Sequence, residues 1–381
     1  MVVIPGPLTP LDTTVNMSTW GTELTNGIDR VLHNTSQVVV AQFQVSPTVP
    51  MLKYWFLDGT QAGEYVVTSG GNDLNYVFDM AYDAQNTCYY MAGLTTAGSG
   101  ICVFKTNMQG VWTGNFINEV DFSDDLLTGN KAANFATWDQ GQVQLTMDDG
   151  TNDGDIPNVY LKITDRLYKI STSGTIGYVD GLSGLEAVSV AYNTITDLGT
   201  VGVSSLNWVS YTGQDYVTYL RHVTGLGNDY IKRIDDTALA LDSKQVQLTM
   251  ASYNTTWTSV SNYKLFFNQR DFNTCYYVFG TGSYDLYEFN VDETMAAFVA
   301  VNVDDAIMAA GTDAQTTITA EVINAYGDPL TGKDVVFSSN AYGSIIPPST
   351  VTTSGGGVAT ATFQVGGSTG TATITATITE S

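Results

Sequence analysis

Residues 353–365, TSGGGVATATFQV, and 370–378, GTATITATI, carry no charge at all, and from Ala359 in the first and throughout the second small or apolar side chains alternate with threonine or glutamine. In the first stretch Ala359, Ala361, Phe363 and Val365 fall on one face while Thr360, Thr362 and Gln364 fall on the other, as a half-buried strand requires. The second repeats the pattern, with Ala372, Ile374, Ala376 and Ile378 pointing one way. Two such strands, each with one wet face, suit a small β-sandwich. Upstream, residues 322–339 read VINAYGDPLTGKDVVFSS, and turn residues with a conformational reason punctuate the whole region: Gly327-Asp328-Pro329, Gly332, Pro347-Pro348 and Gly355-Gly356-Gly357.

Asn324, Gly327, Pro329, Gly332, Val335, Phe337, Thr353, Gly357, Ala359, Ala361, Gly370, Ala372, Ile374 and Ala376 follow the pattern N-x-x-G-x-P-x-x-G, V-x-F, T-x-x-x-G-x-A-x-A, G-x-A-x-[VI]-x-A. This region, from about 300 to 381, resembles the bacterial Ig-like domains of the invasin/intimin type. The resemblance implies an Ig-like β-sandwich, a spacer or display module of bacterial surface proteins and bacteriophage virion proteins, whose residues here are core and turn rather than catalytic. A single copy differs from the long stalks of surface adhesins and looks more like a decoration.

The chain has 381 residues, 38 acidic against 14 basic, and a formal net charge of −24. With no basic stripe to displace counterions, nucleic-acid binding is not expected, nor is docking on anionic membranes. No stretch approaches a membrane span, so membrane insertion is not expected either. The opening MVVIPGPLTPLDTT lacks the basic and apolar regions of an export signal; with Met1 as the native start, the expectation is synthesis in the cytoplasm and release by another route, such as lysis. Cys88, Cys102 and Cys275 provide no disulfide framework and read as buried thiols, although Cys88 and Cys102 could lie on paired strands.

From 36 to 295 short strands rich in Val, Tyr, Thr and Phe alternate with Gly, Asn and Asp turns, which predicts a repetitive all-β body. DAQNTCYYMAG from Asp83 recurs as DFNTCYYVFG from Asp271, and QVQLTM occurs at Gln142 and at Gln245. Tyrosine-rich strands begin at Tyr89, Tyr160, Tyr219 and Tyr277, with an earlier candidate at Tyr54. Each of the four is followed by a second strand: ICVFKTNMQG, RLYKISTSGT, DYIKRIDDTA and DLYEFNVDET. The layout matches successive strands of β-propeller blades, five to seven in number and irregularly spaced; an irregular β-sandwich or jelly roll is the alternative. Residues 1–35 read as an extended N-terminal arm held by Pro5, Pro7 and Pro10, with a short helix from Glu23 to Leu32 and a capacity to dock on a neighbouring subunit. The domain reading is thus an arm, a body over 36–295 that is propeller-like, and an Ig-like sandwich over 296–381, all-β throughout.

The sequence offers little chemistry. His33 and His222 are the only histidines, and neither a G-x-S-x-G elbow nor a zinc motif is present, so no catalytic residues are assigned. A glycosidase needs only two facing carboxylates, and Asp285 and Glu288 sit in tyrosine-rich surroundings, yet solvated carboxylates are the plainer reading. The loop MDDGTNDGDIP gathers Asp148, Asp149, Asp153 and Asp155, a candidate calcium loop that does not follow EF-hand spacing because Tyr160 stands where a bidentate Glu belongs. No other cofactor is expected. Trp20, Trp55, Trp112, Trp138, Trp208 and Trp257 are core candidates, with one or two left for a glycan-stacking surface.

Together these readings lead to the expectation of a non-enzymatic structural component of a bacteriophage virion, located on the tail or head surface. It would be a homo-oligomer among other virion subunits, its Ig-like domain exposed for assembly or weak contact with host surface glycans. A secreted or surface-anchored bacterial adhesin or filament subunit, extracellular or on the cell surface, is the first alternative. A glycan-active propeller enzyme is the second.

Overall fold

The computed structural model describes residues 12–16, 29–34, 36–43, 50–56, 60–68, 74–95, 102–117, 143–148, 158–163, 166–171, 190–194, 203–211, 214–223, 228–237, 239–249, 263–270, 272–280 and 284–379. All regular structure among them is β, arranged in two units, one over Thr9–Asn290 and the other built around Val291–Ser381.

The larger unit contains five four-stranded antiparallel sheets. Blade 1 is β2 (Arg30–His33), β3 (Val38–Gln42), β4 (Met51–Trp55) and β5 (Gln61–Val66). Blade 2 is β6 (Leu74–Asp83), β7 (Cys88–Thr95), β8 (Cys102–Thr106) and β9 (Trp112–Ile117). Blade 3 is β10 (Val143–Met147), β11 (Asn158–Ile163), β12 (Arg166–Ser171) and β13 (Val190–Thr194). Blade 4 is β14 (Val203–Tyr211), β15 (Gln214–Val223), β16 (Asn228–Asp235) and β17 (Leu241–Thr249). Blade 5 has β18 (Tyr263–Phe267), β19 (Thr274–Gly280) and β20 (Tyr284–Asn290), and its fourth, outermost strand is β1 (Asp12–Asn16) from the start of the chain. In every blade consecutive strands pair. The first strands pack side by side in the cycle β2, β6, β10, β14, β18 and back to β2, so the sheets close into a five-bladed, propeller-like ring.

Burial explains why the sequence reads as it does. VQLTM in β10 and VVVAQ in β3 are buried at every position, because an inner strand of a blade is covered on both faces by neighbouring blades. QAGEYV in β5, an outermost strand, is mostly exposed. The repeated tyrosines mark equivalent places: Tyr89, Tyr160, Tyr219 and Tyr277 lie on the second strands β7, β11, β15 and β19 and are all buried. The four strands expected to follow them are the third strands β8, β12, β16 and β20.

Three readings need correction. Tyr54 lies on β4, a third strand, and blade 1 has the valines of β3 in place of the tyrosine strand. The two QVQLTM copies are not equivalent, since one enters the first strand β10 and the other lies in the fourth strand β17. The segment 1–35 is more than an arm, for Asp12–Asn16 completes blade 5 and Arg30–His33 is the inner strand of blade 1 where helix was expected; Glu23 to Ile28 lie outside the described residues. Burial of Arg30, Val31, Leu32 and His33 against two neighbouring blades overrides the local helix propensity.

In the C-terminal unit, one sheet has the order β21 (Phe298–Val303), β22 (Gln315–Ile323), β26 (Val358–Val365), β24 (Gly343–Ile346), and the other β25 (Thr350–Thr352), β23 (Asp334–Ser339), β27 (Ile374–Thr379). Ile318, Ala320, Val322, Val335, Phe337, Ala359, Ala361 and Phe363 form its buried core, and Val365, Ala372, Ile374, Ala376 and Ile378 pack around it half-buried. The expected alternation is therefore present in both strands. The turn residues have specific work: the Asn324 carboxamide oxygen accepts from Tyr326 N and Asp328 N at 2.9 Å, while its Nδ2 donates to Glu293 O at 2.9 Å. Gly357 adopts φ +72°, and a Cβ there would stand 2.5 Å from Val322 O.

Gly357→Ala combines a left-handed backbone with a backbone clash, so a loss of roughly 1–3 kcal/mol is expected, read from urea denaturation of the full chain. Removing residues 1–16 should lower the melting temperature of the ring while leaving the C-terminal sandwich cooperative, which differential scanning calorimetry resolves as the loss of one transition's stability alone.

Candidate functional site

Each blade brings its first strand to the axis as a sheet edge, leaving backbone groups that no neighbouring strand satisfies. Polar side chains from those same strands meet there. Arg30 of β2 lies 3.5 Å from Asp79 of β6, with both side chains about 95% buried. The Asp79 carboxylate accepts from Leu145 N of β10 at 2.7 Å and from Met80 N at 2.8 Å. Thr146 Oγ1 of β10 accepts from Trp208 N of β14 at 2.9 Å. Ser205 Oγ of β14 accepts from Leu265 N of β18 at 2.8 Å, and Asn207 Nδ2 donates to Leu265 O at 3.2 Å. The ring closes where Gln269 N, just after β18, donates to His33 Nδ1 of β2 at 3.3 Å. Across the axis the Arg30 guanidinium also donates to Leu206 O and, at 3.4 Å, to Asn207 Oδ1.

Every adjacent pair of blades is thus joined by a side chain at the hub. Burial pushes the Asp79 carboxyl upward, opposed by Arg30, by the two backbone amides and by the nearby Lys264. Burial likewise pulls Arg30 down, with Asp79 opposing it. Arg30, Asp79, Gln144, Asn207 and Lys264 are each at most 4% exposed, which closes the axis to solvent at this level. Such an arrangement holds a ring together. Among the described residues of the hub there is one carboxylate, Asp79, and it is engaged by Arg30 and two backbone amides.

A second polar cluster joins blades 3 and 4. Asp148, directly after β10, accepts from Asn158 N and Asn158 Nδ2, both at 2.7 Å, which clamps the loop end of the β10–β11 hairpin. The Tyr160 hydroxyl stands 3.5 Å from Asp148 Oδ2 and 3.3 Å from Asp236 Oδ2. Trp208 Nε1 also reaches Asp236 at 3.5 Å, and Lys169 packs over the Tyr160 ring. Of the candidate calcium residues, then, Asp148 is buried and occupied by the hairpin; Asp149, Asp153 and Asp155 lie outside the described residues. Among the described residues no group of three His, Cys, Asp or Glu is placed to hold a metal ion.

Asp285 and Glu288 both lie on β20, where their backbones pair with Phe279 and Tyr276; the side chain of Asp285 lies outside what the structure describes. Of the tryptophans, Trp55 and Trp208 are core, and Trp112 is half-buried and stacked on Phe104; Trp20, Trp138 and Trp257 lie outside the described residues. Cys88 pairs with Asp83 and Cys102 with Gly93, which separates the two cysteines by five residues along the ladder, about 16 Å, far beyond disulfide reach.

The hub residues escaped sequence reading although they leave a trace. Inner strands carry a polar residue at alternate places within otherwise apolar runs, as in Gln144-Leu145-Thr146 and Ser205-Leu206-Asn207, where a two-sided buried strand has no solvent face to justify them.

The C-terminal unit carries a groove of about 340 Å³ at one end of the sandwich, lined by Met308, Thr316, Tyr342, Phe363, Thr371 and Ile374 among others. Tyr342 is 36% exposed and its ring lies over Gly370, where a Cβ would come within 2.1 Å of it. The groove therefore depends on glycine at 370.

Residues 295–381 match the family Invasin, domain 3, and the C-terminal unit is an Ig-like domain of that type. No curated protein matches the chain in sequence. Among solved structures, an exo-β-1,3-galactanase from Phanerochaete chrysosporium is similar over 87% of this chain and 91% of its own, at 10% identity and a TM-score of 0.39. Sqt1 from Saccharomyces cerevisiae is similar over 85% and 98%, at 10% identity and a TM-score of 0.33. Prolyl oligopeptidase B from Galerina marginata is similar at 9% identity and a TM-score of 0.30 over 80% of this chain, which spans 40% of that enzyme's length. Likeness at this level carries nothing about activity.

Arg30→Met is expected to cost about 3–5 kcal/mol of stability, as does breaking a buried pair from one side, and Arg30→Met with Asp79→Asn should cost clearly less than the sum of the two single changes. Strict additivity in urea denaturation would count against a coupled hub. For the thiols, burial raises Cys88 to about 12, with Asp83 adding to the effect, and burial raises Cys275 too. Since the thiolate is the nucleophile, both should resist iodoacetamide at pH 8 in the native protein and react on unfolding, as mass spectrometry of labelled peptides would read.

Proposed function

We propose that this protein is a non-enzymatic structural component of a bacteriophage particle, on the tail or head surface, whose Ig-like domain is the exposed part. The observation that carries this reading is the combination of a ring whose axis is filled by an interlocked hub with an appended domain of the invasin type. A propeller used for catalysis keeps an open axial cleft for its reacting groups, whereas a filled axis suits a rigid mounting. In this role the propeller is the part that docks on other particle subunits, and the Ig-like domain makes contacts that are individually weak and multiplied by copy number. The groove beside Tyr342 is the surface offered for such contacts: a partly exposed aromatic ring in a lining that includes the exposed Thr369 and Thr371 suits the apolar face and hydroxyls of a host glycan. Export as a bacterial adhesin is the second reading, supported by the same invasin-type match.

Electron microscopy of purified particles, with an antibody against residues 295–381, is the test of the first reading. Label on the particle surface is expected, and absence of the protein from every particle fraction would overturn it. A glycan array read alongside an assay for released reducing sugar separates binding from turnover. Binding without turnover is expected, weakened about tenfold or more by Tyr342→Ala; steady release of sugar would move the protein to the enzymes.

A further inference from the structure

Among the described residues β27 has a single strand neighbour, β23, and so forms an open edge of its three-stranded sheet. Folded proteins protect such edges with charge, proline, a bulge or shortness. β27 has none of these: it is six residues long, pairs with β23 in unbroken register, and reads ITATIT. Its core-facing side chains, Ile374, Ala376 and Ile378, belong to the hydrophobic cluster yet are only half-buried, while the threonines between them are exposed. In a chain of net charge −24, this strip carries no charge. The other edges of the sandwich differ. β25 has three residues and β24 has four, so both are short, and β21 runs directly into two carboxylates, Asp304 and Asp305.

The identity of the covering strand follows from the sequence of the edge itself. Residues 374–378 read I-T-A-T-I, the same in both directions. Two copies laid antiparallel about Ala376 set Ile374 opposite Ile378 on the core face and Thr375 opposite Thr377 on the wet face. Both kinds of pair are favourable across strands. We infer that β27 is a homodimerisation edge, at which a second copy of this chain pairs its own β27 across a two-fold axis to form one continuous six-stranded sheet. The contact is isologous, and each copy's isoleucines cover the half-exposed core face of the other.

Two double variants of the full chain test the register, both at exposed positions. Thr375→Lys with Thr377→Lys sets lysine against lysine at both wet-face pairs of the dimer; Thr375→Lys with Thr377→Glu sets lysine against glutamate. Sedimentation equilibrium is expected to show a dimer for the unmodified protein, a dissociation constant about tenfold higher or more for the Lys/Lys variant, and a constant near the unmodified value for the Lys/Glu variant. Melting temperatures matching the unmodified monomer unit's confirm that both variants fold. A protein monomeric at every concentration, a dimer indifferent to both variants, or equal weakening by both overturns the inference. Monomeric protein whose β27 amides are nonetheless slow in hydrogen exchange assigns the edge to some other strand, and overturns it as well.

Discussion

The buried contact between Arg30 and Asp79, and the circuit of hydrogen bonds that runs from it through Leu145, Thr146, Ser205, Asn207 and His33, is the constraint on which the larger unit depends. Five sheets meeting at an axis present five raw edges to one another. Water satisfies such edges in a wide ring, but in a narrow one the neighbours must do so. Here the side chain of one blade satisfies the backbone of the next, and the charged pair sits where two blades and the far side of the ring converge. The apolar packing between blades can be assembled from many residue combinations, whereas this circuit works only with its donors and acceptors in register. It sets which strand faces the axis and how far each blade slides against its neighbour.

Much of this was legible in the amino-acid order, for reasons that differ by region. The C-terminal domain could be read almost residue by residue, since Asn324, Gly327, Pro329, Gly332 and Gly357 hold backbone conformations or turn hydrogen bonds that few other residues can supply. The propeller could be read only as repeated hairpins. Tyr89, Tyr160, Tyr219 and Tyr277 advertise the second strands because a large side chain with a polar tip is needed where a blade face meets its neighbour, as when Tyr277 donates to Asp229 at 2.5 Å. Blade 1 satisfies the same space with Val39 and Val40 and so escapes the pattern.

What the sequence hid is long-range. Nothing local in Asp12–Asn16 announces that its partner is β20, and nothing in Arg30–His33 announces a position facing the axis; both are decided by ring closure. The same holds for the candidate sites. Asp148 looks like a loop ligand beside other carboxylates, but its two oxygens are used by Asn158, a residue ten positions away whose role depends on the hairpin closing.

The pairing of β1 with β20 also bears on how the molecule comes into being. Asp12 pairs with Glu288, so β1 must wait for nearly the whole propeller before its partner exists. During that interval four blades have their strands from local sequence, while the fifth stays incomplete and the circle stays open. Closure is therefore a late step of high contact order, possible only after residue 290 has been made and has left the ribosome. The C-terminal domain is made directly after the last strand of the ring, so its synthesis overlaps the interval in which that slow step becomes possible.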